Sequence, residues 1–208
     1  MTYTTADLHT FLRTRRSIRR FKPDPVPDSV IRALIATATF APSAHNRQPW
    51  RFVVMTDLSV KSRFAEAMSR DFEHDLVRDG VSAEKIQTQV TRSKERITAA
   101  PVAILLCLDM SEMDSYPDEK RRQAERTMAT QSVGAAGLQL LLAAHAEGLG
   151  GVWICSPLFA QETICRVLDL SEAWEPQAMF FIGYPAQLPK TKEMKDIQTI
   201  LNCHDSKL

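Results

Sequence analysis

The chain is short of most of the features that declare a function at first sight. It has almost no excess charge: 26 lysines and arginines stand against 25 acids in 208 residues. No global field therefore draws it to nucleic acid or to an anionic membrane. It has no long apolar run free of polar side chains. The longest uncharged stretch, residues 128–146, carries Gln131, Ser132, Gln139 and His145 among small residues, which predicts a buried helix rather than a membrane span. The opening residues lack the basic patch and apolar core of a secretory signal, so a cytoplasmic protein is expected. The four cysteines, Cys107, Cys155, Cys165 and Cys203, are scattered, with no CxxC pair and no metal-like histidine spacing. Buried or half-buried thiols are expected, and no metal site. Gly148-Leu149-Gly150-Gly151 follows a helical pattern rather than a strand, so the dinucleotide fingerprint is missing as well. With no internal repeat or low-complexity linker, residues 1–208 are expected to form a single domain.

What is present alternates helical and extended patterns. Residues 7–13 place Leu8, Phe11 and Leu12 at helical spacing, with Thr4 or Thr5 available as the cap. After Pro23-Asp24-Pro25-Val26-Pro27, Asp28 is positioned to cap a helix running to about residue 40. Trp50-Arg51-Phe52-Val53-Val54-Met55 reads as a strand. Residues 58–99 are charged and helical, broken near Gly80, and are expected to form a peripheral excursion covering a pocket. The run 102–108 is apolar throughout and predicts a strand buried on both faces. A long helix is predicted over 118–146, rich in small residues that allow close helix approach. An extended run at 152–155, a turn at Ser156-Pro157, a helix over 160–168 and a strand over 178–184 follow, and residues 185–208 form a C-terminal arm. This alternation argues an α+β or α/β layered fold.

Two segments carry chemistry. Arg13, Arg15, Arg16, Arg19, Arg20 and Lys22 crowd six basic residues around Ser17 and Ile18. Guanidinium forks match phosphate oxygens in bidentate fashion. A solvated basic face at a helix end, suited to the helix dipole, and a nucleic-acid patch are the competing readings. The second segment, Pro42-Ser43-Ala44-His45-Asn46-Arg47-Gln48-Pro49, presents short polar groups in an irregular loop between a helix and a strand, the usual setting of binding residues. Together they suit a flat, phosphorylated ligand rich in hydrogen-bonding groups.

The pattern RRSIR, then APSAHNRQPWRF, GLGG with CSPLF, and GYPA with PKTK, taken in order, resembles the FMN-dependent nitroreductase family over nearly the whole chain. The resemblance implies a central mixed β-sheet flanked by helices, an intertwined homodimer, and FMN bound at the interface with contacts from both chains. By the same resemblance Arg15, Arg16, Ser17 and Arg19 contact the phosphate and the flavin. Arg19 matches the basic residue at the pyrimidine edge, where a cation stabilises the negative charge that reduction leaves. Pro42, Ser43, Ala44 and Asn46 match the loop donated by the partner subunit, with Gln48 supporting it. Lys190 and Lys192 match the basic pair that completes the phosphate site, although the second is often arginine in the family. Cys155, Ser156, Pro157 and Leu158 match the stretch along the flavin ring. Pro157 has no N–H, so Leu158 or Ser156 must supply the donor to the reactive ring nitrogen. His45 and Arg47, variable positions in the family, either face solvent or reach substrate.

The implied activity is a ping-pong cycle: NADH or NADPH binds transiently, reduces the flavin and leaves, and a small nitroaromatic, quinone or other conjugated acceptor takes its place. No side chain acts as a covalent nucleophile. The runs Cys165-Arg166-Val167-Leu168-Asp169-Leu170, Trp174-Glu175-Pro176-Gln177-Ala178 and Gly183-Tyr184-Pro185 also resemble a subgroup related to the C-terminal reductase domain of the deazaflavin-coenzyme biosynthesis protein. There the acceptor is a biosynthetic intermediate. A non-catalytic flavin-binding protein is a further alternative.

Overall fold

A computed structural model of the chain describes residues 3–187 and 193–202. Lys190, Lys192 and Cys203 lie outside the described residues. Six helices and four strands follow in the order α1 (Thr5–Thr14), α2 (Asp28–Ala38), β1 (Trp50–Met55), α3 (Leu58–Arg78), α4 (Ala83–Ala99), β2 (Val102–Asp109), α5 (Glu119–Ala146), β3 (Gly150–Ile154), α6 (Gln161–Leu168) and β4 (Trp174–Gly183). The strands form one sheet in the order β1-β2-β4-β3.

Every pairing between these strands is antiparallel. The mixed sheet expected from the resemblance is therefore present only as an isolated parallel bridge between Ser17 and Gly151. Strand β2 lies in the interior of the sheet and is buried along its whole length. Its side chains alternate. Ile104, Leu106 and Leu108 join the core beneath α2 and α5, while Ala103, Leu105 and Cys107 join the core with residues of α3, α4 and α6. Two helical layers cover the two sheet faces, which is why β2 reads as continuously apolar.

Local chemistry sets the element ends. Thr4 and Asp7 exchange hydrogen bonds in a capping box that starts α1. In α2 the N-cap is Pro27 rather than Asp28, which becomes the first helical residue and faces the dipole as a charge. The helix ends at Ala38, leaving Phe40 83% exposed. Strand β4 begins at Trp174, earlier than the apolar pattern suggests, because a register shift opposite Leu106 and Cys107 accommodates Pro176. The 42–49 loop, read as irregular, contains one turn of 3₁₀ helix at Ala44–Asn46. Of the thiols, Cys107 is buried and Cys165 half-buried, but Cys155 is exposed, contrary to expectation, because β3 ends just before it.

Candidate functional site

The basic segment does not continue α1. Arg16 donates to the carbonyls of Arg13 and Arg15, closing the helix end, and the chain then runs extended across the ends of β3 and β4. The Ile18 N–H donates to the Gly151 carbonyl at 3.0 Å, and Lys22 N–H donates to Tyr184 O at 2.8 Å. Ala186 N–H returns a bond to the Arg20 carbonyl at 3.0 Å. Ile18 is buried against Gly150, where an added Cβ would fall 2.6 Å from the Ile18 Cβ. Burying such a side chain contributes about 1.5–3 kcal/mol. The glycine and Gly-Tyr-Pro-Ala segments are thus the bed on which the arginines lie.

Beside the segment opens a cleft of about 1400 Å³ lined by Arg13, Arg15, Arg16, Ser17, Arg19 and Arg20. Helix α4 adds Arg92, Glu95 and Arg96 to its wall. Among the described residues Glu95 is the only acid in this lining, and none of these arginines forms an ion pair. Burial and the charges of Arg92 and Arg19 hold the Arg96 pKa below its ordinary value. Mutually repelling cations with no ion-pair partner among the described residues are suited to a multiply charged anion. On the other side of the segment His145 stacks on Phe11, with ring centroids 4.9 Å apart, and lies 3.1 Å from Thr14 Oγ1. Burial, with Arg15 and Arg16 nearby, pushes the His145 pKa down, although a hydrogen bond from its ring to the Phe11 backbone carbonyl acts the other way.

Cys155 and Ser156 line a second cleft of about 570 Å³. Its floor contains Met68, Ile97, Ile154, Met179 and Phe181, and Arg92 and Arg96 border both clefts. Pro157 is buried and Leu158 exposed, and neither lines this cleft. The Leu158 N–H donates to the Cys155 carbonyl at 3.1 Å. Ser156, the other donor expected from the sequence, lines the cleft.

The 42–49 loop lies elsewhere, lining neither cleft of its own chain. Ala44 N–H donates to Ser132 Oγ of α5 at 3.1 Å, Gln48 N–H to Ser43 Oγ at 3.1 Å, and Gln48 Nε2 to Asn46 Oδ1 at 3.2 Å. Arg47 pairs with Asp114. His45, Asn46 and Gln48 have φ of 52°, 54° and 52°. Left-handed backbone at residues with a Cβ is costly and persists where surroundings fix it, often at ligand sites. Behind the loop, Asp109 N–H donates to the Pro49 carbonyl at 2.8 Å. The Asp109 carboxylate accepts from Ser111 N–H at 3.0 Å and meets Arg51 at 3.0 Å. Burial acts to raise its pKa, but the Ser111 hydrogen bonds and the Arg51 charge outweigh it and hold the group below the ordinary carboxylate range.

The family model described as the nitroreductase family matches residues 12–184, from the end of α1 to the last strand. The chain belongs to the nitroreductase family. It is an oxidoreductase of that family. A relative from Methanothermobacter thermautotrophicus, provisionally named an NADH dehydrogenase/NAD(P)H nitroreductase, is 31% identical over 89% of this chain and 81% of its own length. Among solved structures, a BluB-like flavoprotein from Clostridium difficile 630 superposes with a TM-score of 0.81 at 26% identity, covering 95% of this chain and 99% of that one. A provisionally named nitroreductase from Desulfovibrio desulfuricans, in complex with FMN, gives a TM-score of 0.72 at 26% identity over 97% and 98% of the two chains.

For this nitroreductase-family chain the sequence pointed to the basic segment but not to Arg92 and Arg96. They sit among alternating charges, and their four-residue spacing, which puts both on one helix face, also suits a solvated surface. No helix among the described residues is long and apolar enough to cross a membrane.

Proposed function

We propose that the chain binds FMN and passes electrons from NADH or NADPH to a small nitroaromatic, quinone or other conjugated acceptor in a ping-pong cycle, as a homodimer with flavin sites at the interface. One observation carries the reading: Arg15, Arg19, Arg92 and Arg96 converge on a single cleft with one acid among its lining residues. That donor set fits FMN, whose phosphate and pyrimidine edge both call for fixed cations and short hydrogen-bond donors. When bound, FMN supplies the ring that takes up and releases the electrons. Arg15 and Ser17 hold its phosphate, Arg16 locks the end of α1 beside them, and Arg19 keeps a positive charge where reduction leaves a negative one. Ser156, at the adjoining cleft, would supply the N–H that meets the reactive edge of the ring. Family resemblance alone assigns Lys190 and Lys192 to the phosphate.

Pro42, Ser43, Ala44 and Asn46 serve the flavin of the other subunit, with Gln48 bracing Asn46. Two features support this division: the loop holds a strained shape away from its own chain's clefts, and α1 carries an apolar stripe that its own chain leaves uncovered. Leu8 and Leu12 are 52% and 53% exposed, and no α1 residue is buried. Anaerobic mixing tests the activity. Protein supplied with FMN should lose its yellow colour on addition of NADH or NADPH and regain it on addition of a quinone. Failure to take up FMN overturns the reading. FMN that is held but bleached by neither nicotinamide overturns the donor and favours a deazaflavin donor or a non-catalytic role.

A further inference from the structure

We propose that the second cleft is the acceptor subsite and that it selects a planar conjugated molecule bearing a carboxylate or similar anionic group, held by Arg92 and Arg96. The inference rests on the FMN reading and adds to it the chemical class of the acceptor. At about 570 Å³ the cleft is within the range of roughly 300–1,000 Å³ usual for small-molecule sites. Met68, Ile97, Met179 and Phe181 form an apolar floor, and Phe72 and Phe159 stand at its sides. Such walls take up a flat ring and leave its charge to be met at the edge.

The edge is polarised. Arg92 and Arg96, one turn apart on α4, belong to the walls of both clefts, so a molecule they hold lies between the Cys155-Ser156 turn and the arginines of the flavin cleft. Asp71, Asp75 and Asp79 of the α3 side line the same cleft. Asp75 is engaged by Arg78 at 3.1 Å and lies 3.9 Å from His74, while Arg92 and Arg96 form no ion pair among the described residues. The cations are therefore held apart from the aspartates instead of being neutralised by them. Glu95, next to Arg96 in sequence, lines the flavin cleft and not this one. An anionic substituent is drawn to the α4 wall and repelled from the α3 wall, which fixes one orientation of the ring. A guanidinium–carboxylate pair gives charge-assisted hydrogen bonds worth about tenfold in affinity.

The anion could instead be the phosphates of the nicotinamide donor, so the two half-reactions are measured separately. FMN-loaded protein is photoreduced anaerobically and mixed with 4-nitrobenzoate or with nitrobenzene. Each nitro group takes two electrons and two protons, giving the nitroso compound and water. The expected result is that 4-nitrobenzoate reoxidises the protein with the larger kcat/KM. In protein whose FMN content is first matched by its flavin absorbance, Arg92→Gln should lower the 4-nitrobenzoate to nitrobenzene ratio about tenfold, and Arg92→Lys should restore part of it. Calorimetric titration of oxidised protein with 4-nitrobenzoate should show the same loss of binding in Arg92→Gln. An unchanged ratio, or a loss confined to the nicotinamide half-reaction, overturns the inference. Protein that never retains FMN overturns the earlier reading instead, and is recognised by its colourless spectrum.

Discussion

At the scale of single residues, the arginines of the cleft divide by what they touch. Arg16 is committed to carbonyls at the end of α1, whereas Arg19 has no protein partner among the described residues and lies near Arg96. Arg19→Ala should slow flavin reduction by NADH more than it weakens FMN retention. Stopped-flow reduction and equilibrium FMN binding compare the two, and equal losses would contradict a charge-stabilising role. Asp109 makes a separate prediction. Its carboxyl is held below the ordinary range, so its contribution is present above that range and is lost as the pH falls through the folded-state value. Asp109→Asn should cost about 1–3 kcal/mol at neutral pH, read from urea midpoints, with the difference from wild type shrinking toward acid.

At the scale of elements, packing decides more than propensity. An added Cβ at Gly137 of α5 would lie 2.6 Å from Trp153 and 2.8 Å from Phe180. Gly137→Ala should therefore destabilise the protein by about 1–3 kcal/mol in thermal or urea unfolding, despite alanine's better helix propensity. The elements themselves were legible. The uninterrupted apolar run 102–108 announces a strand covered on both faces, and small residues in 129–144 announce a helix in close contact. Less legible was what the glycine motif does. Gly150 and Gly151 appear in the sequence as a glycine run after a helical pattern, whereas the fold uses them to seat Ile18 beside the arginines. Such a contact joins residues far apart in sequence and leaves no local periodicity. The left-handed backbone at His45, Asn46 and Gln48 is nearly as hidden, since histidine and asparagine only hint at it. Arg92 and Arg96 acquire meaning only when α4 is laid against the basic segment.

At the scale of the whole molecule, the proposed site is divided between two chains. In that proposal the cleft comes from one subunit and the strained 42–49 loop from the other. Mixing Arg15→Ala chains with chains carrying Ser43→Ala and Asn46→Ala tests this arrangement. Each variant alone should hold FMN poorly, while subunit exchange should regenerate one intact site in each mixed dimer and recover part of the bound flavin. No recovery on exchange would count against a shared site. The central claim is that the bed formed by β3, β4 and the basic segment is the flavin phosphate cradle. Its most direct measurement is FMN titration of wild-type and Arg15→Ala protein, followed by flavin fluorescence. The account predicts saturation at one FMN per wild-type chain and an affinity at least about tenfold weaker in the variant. Equal affinity in the two proteins would contradict it.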